Sequence, residues 1–186
     1  MHKRLAELEA EKMISALPPV VVGGALVIPR GLMNRLMDHG TPDLFGHGDR
    51  QAVEMAAMEA VMAIETSLGF APRDVSKEKR GYDIESFIPE GKRNNSNCLR
   101  FLEVKGRAKG ATTVTVSKNE ILTALNKSDE FILAIVEVDG NQTNTVYLKR
   151  PFKSAPDFGA TSVNYSISDL MATSEILLQR AGVLRE

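Results

Sequence analysis

The chain has 186 residues, a quarter of them charged, and a net charge of −1, enough for one domain of ordinary size with its own core. No stretch is long and apolar enough to span a bilayer, and the N-terminal MHKRLAELEAEK lacks the apolar core of a signal peptide, so a soluble, cytoplasmic domain with no membrane partner is expected. A single Cys98 excludes an internal disulfide and a zinc cluster, while the absence of tryptophan and the few aromatics argue against a base-stacking platform for single strands.

The first 48 residues read differently from the rest. KRLAELEAEKMISA (3–16) is a charged amphipathic helix that breaks at Leu17-Pro18-Pro19. VVVGGALVIPRG (20–31) is an extended apolar run with a glycine bend, GLMNRLMDHG (31–40) a short helix, and GTPDLFGHGD (40–49) a turn-rich linker. A charged opening helix with no partner in a core suggests a segment from an upstream region of a longer protein; self-association, giving a homodimer, is the other option. His39 and His47 are loop residues with no ligand ladder around them, and ordinary surface histidines are expected.

From residue 49 the pattern becomes regular. DRQAVEMAAMEAVMAIETSLG (49–69) predicts a long helix, with Asp49 as N-cap and Gly69 as stop. FAPRDVS (70–76) is a short candidate strand, and GYDIESF (81–87) and RFLEVKGR (100–107) are two further strand-like runs separated by the Gly/Asn-rich GKRNNSN (91–97). ATTVTV (111–116) either continues the second run or forms another strand. SKNEILTALNKSDE (117–130) predicts a helix opened by a Ser117/Glu120 capping box. FILAIVEV (131–138) fits a strand buried on both faces, and NTVYLKRPF (144–152) returns as its hairpin partner. APDFGATSVNYSIS (155–168) supplies a loop and a short strand. SDLMATSEILLQRAG (168–182) reads as an amphipathic closing helix with Leu170, Ile176 and Leu177 buried and Gly182 as stop. Helix, several strands, helix, strand is the order of an α/β fold around a mixed central sheet.

The chemistry concentrates in the two strand-like runs. Glu103 and Lys105 are two residues apart on a strand and so share one face. If the runs form a hairpin, a symmetric register sets Asp83 opposite Glu103, while Leu102 and Val104 turn toward a helix layer. Two hard carboxylates on neighbouring strands can hold Mg²⁺ or Mn²⁺, and a lysine beside them can orient or deprotonate a water, or offset charge on a phosphodiester. Taken alone, Glu-x-Lys also fits the polar face of a solvated strand.

Element order and residues together resemble the PD-(D/E)XK nuclease superfamily, with its restriction-endonuclease-like αβββαβ core. More narrowly, RGYDIES, FLEVKGR, VTVSKNEI, FILAIVEV and VYLKRPF over about residues 49–152 resemble the NO VEIN C-terminal domain family. That family's nuclease-like domains often end large helicase-like proteins, prokaryotic defence proteins among them. The resemblance implies a DNA-hydrolysing site with Asp83 and Glu103 on the metal, Lys105 at the water, and a glutamate from the first helix. Glu54 is favoured for that last role over Glu59 and Glu65. It equally admits an inactive module for DNA binding or protein docking. Basic residues flank the proposed site in sequence, and Lys79, Arg80, Arg107, Lys109 and Lys118 are the candidate nucleic-acid contacts. The expected organisation is a linking segment, 1–48, followed by the nuclease-like domain, 49–186.

Overall fold

A computed structural model describes residues 2–12, 47–93 and 97–184. The chain divides into two units, Met1–Asp43 and Leu44–Glu186. Of the first, the described part is helix α1, His2–Lys12, carrying an Arg4–Glu7 ion pair at 3.3 Å; the expectations for residues 13–46 lie outside the described residues.

The second unit opens with α2, His47–Ser67, which begins two residues before the expected Asp49 cap. Ala57, Ala60, Val61 and Ile64 repeat at helical spacing and form its buried stripe. Gly69 ends it with φ of +77°, a conformation that favours glycine. Strands β1 (Ala71–Asp74), β2 (Ile84–Phe87), β3 (Leu99–Ala108) and β4 (Thr113–Ser117) lead to helix α3 (Lys118–Asn126), then β5 (Phe131–Asp139) and β6 (Gln142–Lys149). Strand β7 (Ser162–Ser166), the short helix α4 (Ile167–Thr173) and β8 (Glu175–Val183) complete it.

Six strands form one mixed sheet in the order β1-β2-β3-β5-β6-β8, with β3 and β5 parallel and the other neighbours antiparallel. ATTVTV is therefore a separate strand: β4 leaves the sheet and pairs with β7 in a two-stranded ribbon. The predicted helix, three strands, helix, strand order is present in α2, β1, β2, β3, α3 and β5, with β4 added before α3.

Alternation along the central strands builds two cores. Ile132, Ala134 and Val136 of β5 join Ile84, Leu102 and the apolar stripe of α2 on one face. Phe131, Leu133 and Ile135 join Phe101, Val114 and Val116, Ile121 of α3 and Leu170 of α4 on the other. β5 is thus buried on both faces, as its near-continuous apolar run requires. Each fully buried aliphatic or aromatic side chain contributes about 1.5–3 kcal/mol.

The closing helix is a correction. Only Ile167–Thr173 is helical; Ser174 is extended, with φ of −102° and ψ of 162°, and Glu175–Val183 pairs along β6. Leu170 is buried as expected, whereas Ile176 and Leu177 are 46% and 43% exposed. The cause is tertiary: β6 presents an open row of N–H and C=O groups, and the terminal segment satisfies them better as a strand than as a helix. Leu177 is the extra residue where the register slips between Tyr147–Leu178 and Leu148–Ile176.

Gly106 fixes how closely α2 approaches β3. A Cβ there would stand 2.7 Å from the Val53 carbonyl oxygen and 2.9 Å from Ala57 Cβ. Gly106→Ala should therefore lower unfolding stability by about 1–3 kcal/mol through overpacking. Urea unfolding with an unchanged wild-type midpoint would contradict this close approach.

Candidate active site

Glu103 and Lys105 share one face of β3, and Leu102 and Val104 pack toward α2 on the other. Asp83 lies one residue before β2, where the Ile84–Leu102 register, carried one step further, meets Glu103. Its N–H donates to the Leu102 carbonyl at 2.9 Å, and its Oδ2 accepts from the Val104 N–H at 2.9 Å. The Asp83 carboxylate thus takes the place of a ladder carbonyl at the point where the two strands part.

Lys105 is held by two acids. Its Nζ lies 2.6 Å from Glu103 Oε1 and 2.8 Å from Glu120 Oε2. Glu120 in turn closes the expected capping box, accepting from Ser117 N at 3.0 Å while its own N–H donates to Ser117 Oγ at 3.3 Å. The capping role of Glu120 is readable from Ser117-x-x-Glu120. Its grip on Lys105 is not, because that contact depends on where the chain re-enters the sheet.

Asp83, Glu103, Lys105, Glu120 and Glu54 line one open cleft of about 680 Å³, together with Lys77 and Arg107. The helix glutamates separate: Glu54 faces this cleft, Glu59 lines another of about 710 Å³ beside β8, and Glu65 is fully buried, 3.5 Å from Arg100 Nη2. The cleft beside β8 is larger, but no convergent set of acids lines it.

Electrostatics single out Glu103. Burial pushes its carboxyl up to about 8, with Asp83 and Glu120 adding to the rise and Lys105 opposing it. Burial also raises Asp83, against the Val104 N–H and Lys105. Lys105 remains above its ordinary value because Glu103 and Glu120 outweigh the effect of burial. Glu120 is lowered, its own burial being overcome by the Lys105 contact and the cap.

Among the described residues no three His, Cys, Asp or Glu side chains form a ready metal cage. A cation here would rest on Asp83 and Glu103 and complete its shell with water or substrate oxygens, as Mg²⁺ commonly does. The donor set fits such an ion: hard oxygens from the buried Glu103 and the half-buried Asp83, both raised in pKa, and the Lys105 ammonium shared between Glu103 and Glu120.

The five nominated basic residues divide. Arg107 lines the cleft. Arg80 is bonded to Glu78 at 2.6 Å and to Glu85 at 2.7 Å, and Lys109 to Asp139 at 2.7 Å. Lys118 donates to the Phe158 carbonyl at 2.6 Å and lies over its ring. Lys79 is exposed at φ of +52°, after the short turn Ser76–Glu78. Glu85, contacting Arg73, Arg80 and the Tyr82 hydroxyl, therefore draws Arg80 into a surface ion network.

Two variants test these contacts. Glu120→Gln keeps the capping box, so its melting temperature should stay near wild type, while the Lys105 ammonium pKa falls because one of its two carboxylates is lost. Glu120→Ala should in addition cost about 1 kcal/mol of stability. An NMR titration of the Lys105 side chain that is identical in wild type and Glu120→Gln would refute the coupling. At Glu85, the Arg73 hydrogen bond is the largest cause of a lowered pKa, with Tyr82 and Arg80 acting in the same direction against burial. A depressed carboxylate stabilises the fold above its unfolded value, roughly pH 4.3, and that stability disappears as pH falls through the folded value. Glu85→Gln should accordingly destabilise by roughly 0.5–1 kcal/mol at pH 7 and by progressively less below about pH 4. Equal destabilisation at pH 7 and pH 3 would rule this out.

No curated protein and no solved structure matches the chain. The family described as "Protein NO VEIN, C-terminal" matches residues 53–148. That span runs from α2 through β6 and takes in Glu54, Asp83, Glu103, Lys105 and Glu120. Covering more than half of the sequence, the match makes this chain a member of the NO VEIN C-terminal family.

Proposed function

We propose that the chain is a metal-dependent nuclease domain that hydrolyses phosphodiester bonds of DNA. The observation carrying this reading is the half-buried ammonium of Lys105 held between Glu103 and Glu120, beside an Asp83 carboxylate at the parting of two strands. A cluster that merely decorated a surface would not bury Glu103 and half-bury Asp83, Glu120 and Lys105 beside it, since desolvating charge costs several kcal/mol per ion.

Asp83 and Glu103 would hold Mg²⁺ or Mn²⁺, which when bound acidifies coordinated water and offsets the charge developing on the phosphate. Lys105 keeps its proton under the influence of two carboxylates. Its role is therefore to donate to a phosphate oxygen or to the attacking water, rather than to act as the base. Glu120 fixes the direction of that donor, and Glu54, across the cleft, is available to orient a water.

One observation favours the other reading, a nuclease-like module for DNA binding or protein docking. Arg80 and Lys109 are neutralised by neighbouring acids, leaving a modest basic rim. Tethering to a helicase-like upstream region, as the family resemblance implies, would offset that by raising the effective concentration of DNA.

Cleavage of labelled duplex DNA, single-stranded DNA and RNA with Mg²⁺ or Mn²⁺ decides between them. Cutting should require the metal and fall about 10²- to 10⁴-fold in Asp83→Asn, Glu103→Gln and Lys105→Ala. Binding of the ion to the folded state should also raise the wild-type melting temperature and leave that of Asp83→Asn nearly unchanged. No cutting and no thermal shift would eliminate the nuclease reading in favour of the module.

A further inference from the structure

The acidic cleft does not end at Lys105. A second cleft of about 510 Å³ adjoins it, lined by Arg50 of α2 and by Arg107, Ala108 and Thr113 on the strand side. The two share Glu54, Gly106, Arg107 and Thr115 and so form one groove. At its midpoint lies Gly106, itself buried against Val53 and Ala57 of α2, so the side chains of Glu54, Arg107 and Thr115 form the walls there.

Arg107 is built into this groove. Its Nε donates to the Thr113 carbonyl at 3.2 Å and its Nη1 to the Gly106 carbonyl at 2.7 Å, which orients a half-buried guanidinium along the wall. Arg50 is exposed on the facing helix and close enough to act electrostatically on Arg107. Two guanidiniums therefore share this cleft with a single carboxylate, Glu54. A surplus of positive charge beside a surplus of negative charge has a specific use: the acids take a cation, and the arginines take an anion next to it.

We propose that Arg50 and Arg107 form an anion subsite holding a backbone phosphate of the nucleic-acid strand, adjacent to the phosphate seated at Asp83, Glu103 and Lys105. The assignment rests on the nuclease reading and deepens it. It makes the substrate a polynucleotide that continues past the scissile phosphate from Lys105 toward Arg107, rather than a mononucleotide ester. It also sets Arg107 apart from the other nominated basic residues. Arg80 and Lys109 are bound to carboxylates, and Lys118 is turned onto the Phe158 loop.

The test uses the full chain and fluorescein-labelled 20-nucleotide single-stranded and duplex DNA, without divalent ion, with anisotropy followed over a salt series. Each phosphate contact contributes about 0.9 to the slope of log K against log salt for duplex and about 0.7 for single strands. Arg50→Gln and Arg107→Gln should each reduce the slope by about that amount. Lys109→Gln, which removes a charge already paired to Asp139, should leave it unchanged. Arg50 is exposed and carries the decision, and Arg107→Lys checks that any loss at 107 reflects charge and not folding. Equal slopes in Arg50→Gln, Lys109→Gln and wild type would overturn the subsite, even if wild type binds and cuts DNA and the nuclease reading stands. Reduced slopes without any metal-dependent cutting would support the subsite within a binding module. A wild type that binds neither strand form would overturn the subsite outright.

Discussion

The parallel pairing of β3 with β5 is the constraint from which the site follows. Parallel neighbours cannot be joined by a tight turn, so the chain must leave the sheet, cross one face and return. Here the crossover is β4 and α3, and its helical part starts at Ser117. The Phe101–Phe131 and Lys105–Ile135 register fixes where α3 lies over β3. Glu120, three residues into the crossover helix, consequently meets Lys105. One side chain then serves two ends: it accepts from the Ser117 N–H at the start of a helix, and it holds an ammonium whose pKa burial lowers.

The opposite face of the sheet handles buried charge differently. Glu65, near the end of α2, is fully buried, with Arg100 at 3.5 Å and lying over the rings of Phe70 and Tyr147. Among the described residues, the carboxylate oxygens of Glu65 and the Tyr147 hydroxyl have no partner in good hydrogen-bond geometry. An arrangement of this kind contributes little net stability, because desolvation offsets attraction. Removing either charged partner would nonetheless be costly, since it would leave the other buried and unpaired. At the acidic cleft, by contrast, the carboxyls are tied to donors and open toward solvent on one side. The same residue type, glutamate, thus has three situations along α2: Glu54 at the cleft, Glu59 exposed, Glu65 entombed.

A near-neutral chain can still present a polarised groove, because most of its charges cancel locally. Arg73, Arg80, Glu78 and Glu85 neutralise one another on the outer strands, as do Lys109 with Asp139 and Arg150 with Asp129. Net charge sums over these pairs and does not report how charge is distributed along the groove, with acids around Lys105 at one end and Arg50 with Arg107 at the other. Counting basic residues near a motif identifies candidates; only their partners decide which of them remain available.

Periodicity and local chemistry were sufficient for much of this architecture. The long helix stopped by Gly69, the doubly buried β5, the Ser117/Glu120 box and the alternation placing Glu103 with Lys105 are all short-range patterns, and each is realised in the structure. The symmetric register bringing Asp83 toward Glu103 was equally legible, because a hairpin with one buried face admits few registers. Three matters were decided by tertiary structure alone. Residues 175–183 became a strand because an open sheet edge outweighed an ambiguous helical pattern. Glu120 reached Lys105 because a parallel crossover carried it there. Arg80 and Lys109 were lost as candidate contacts because Glu78, Glu85 and Asp139 lie beside them in the fold. For residues 175–183, Glu120 and Lys109 the deciding partner is remote in sequence, and side-chain spacing within a segment carries no information about it.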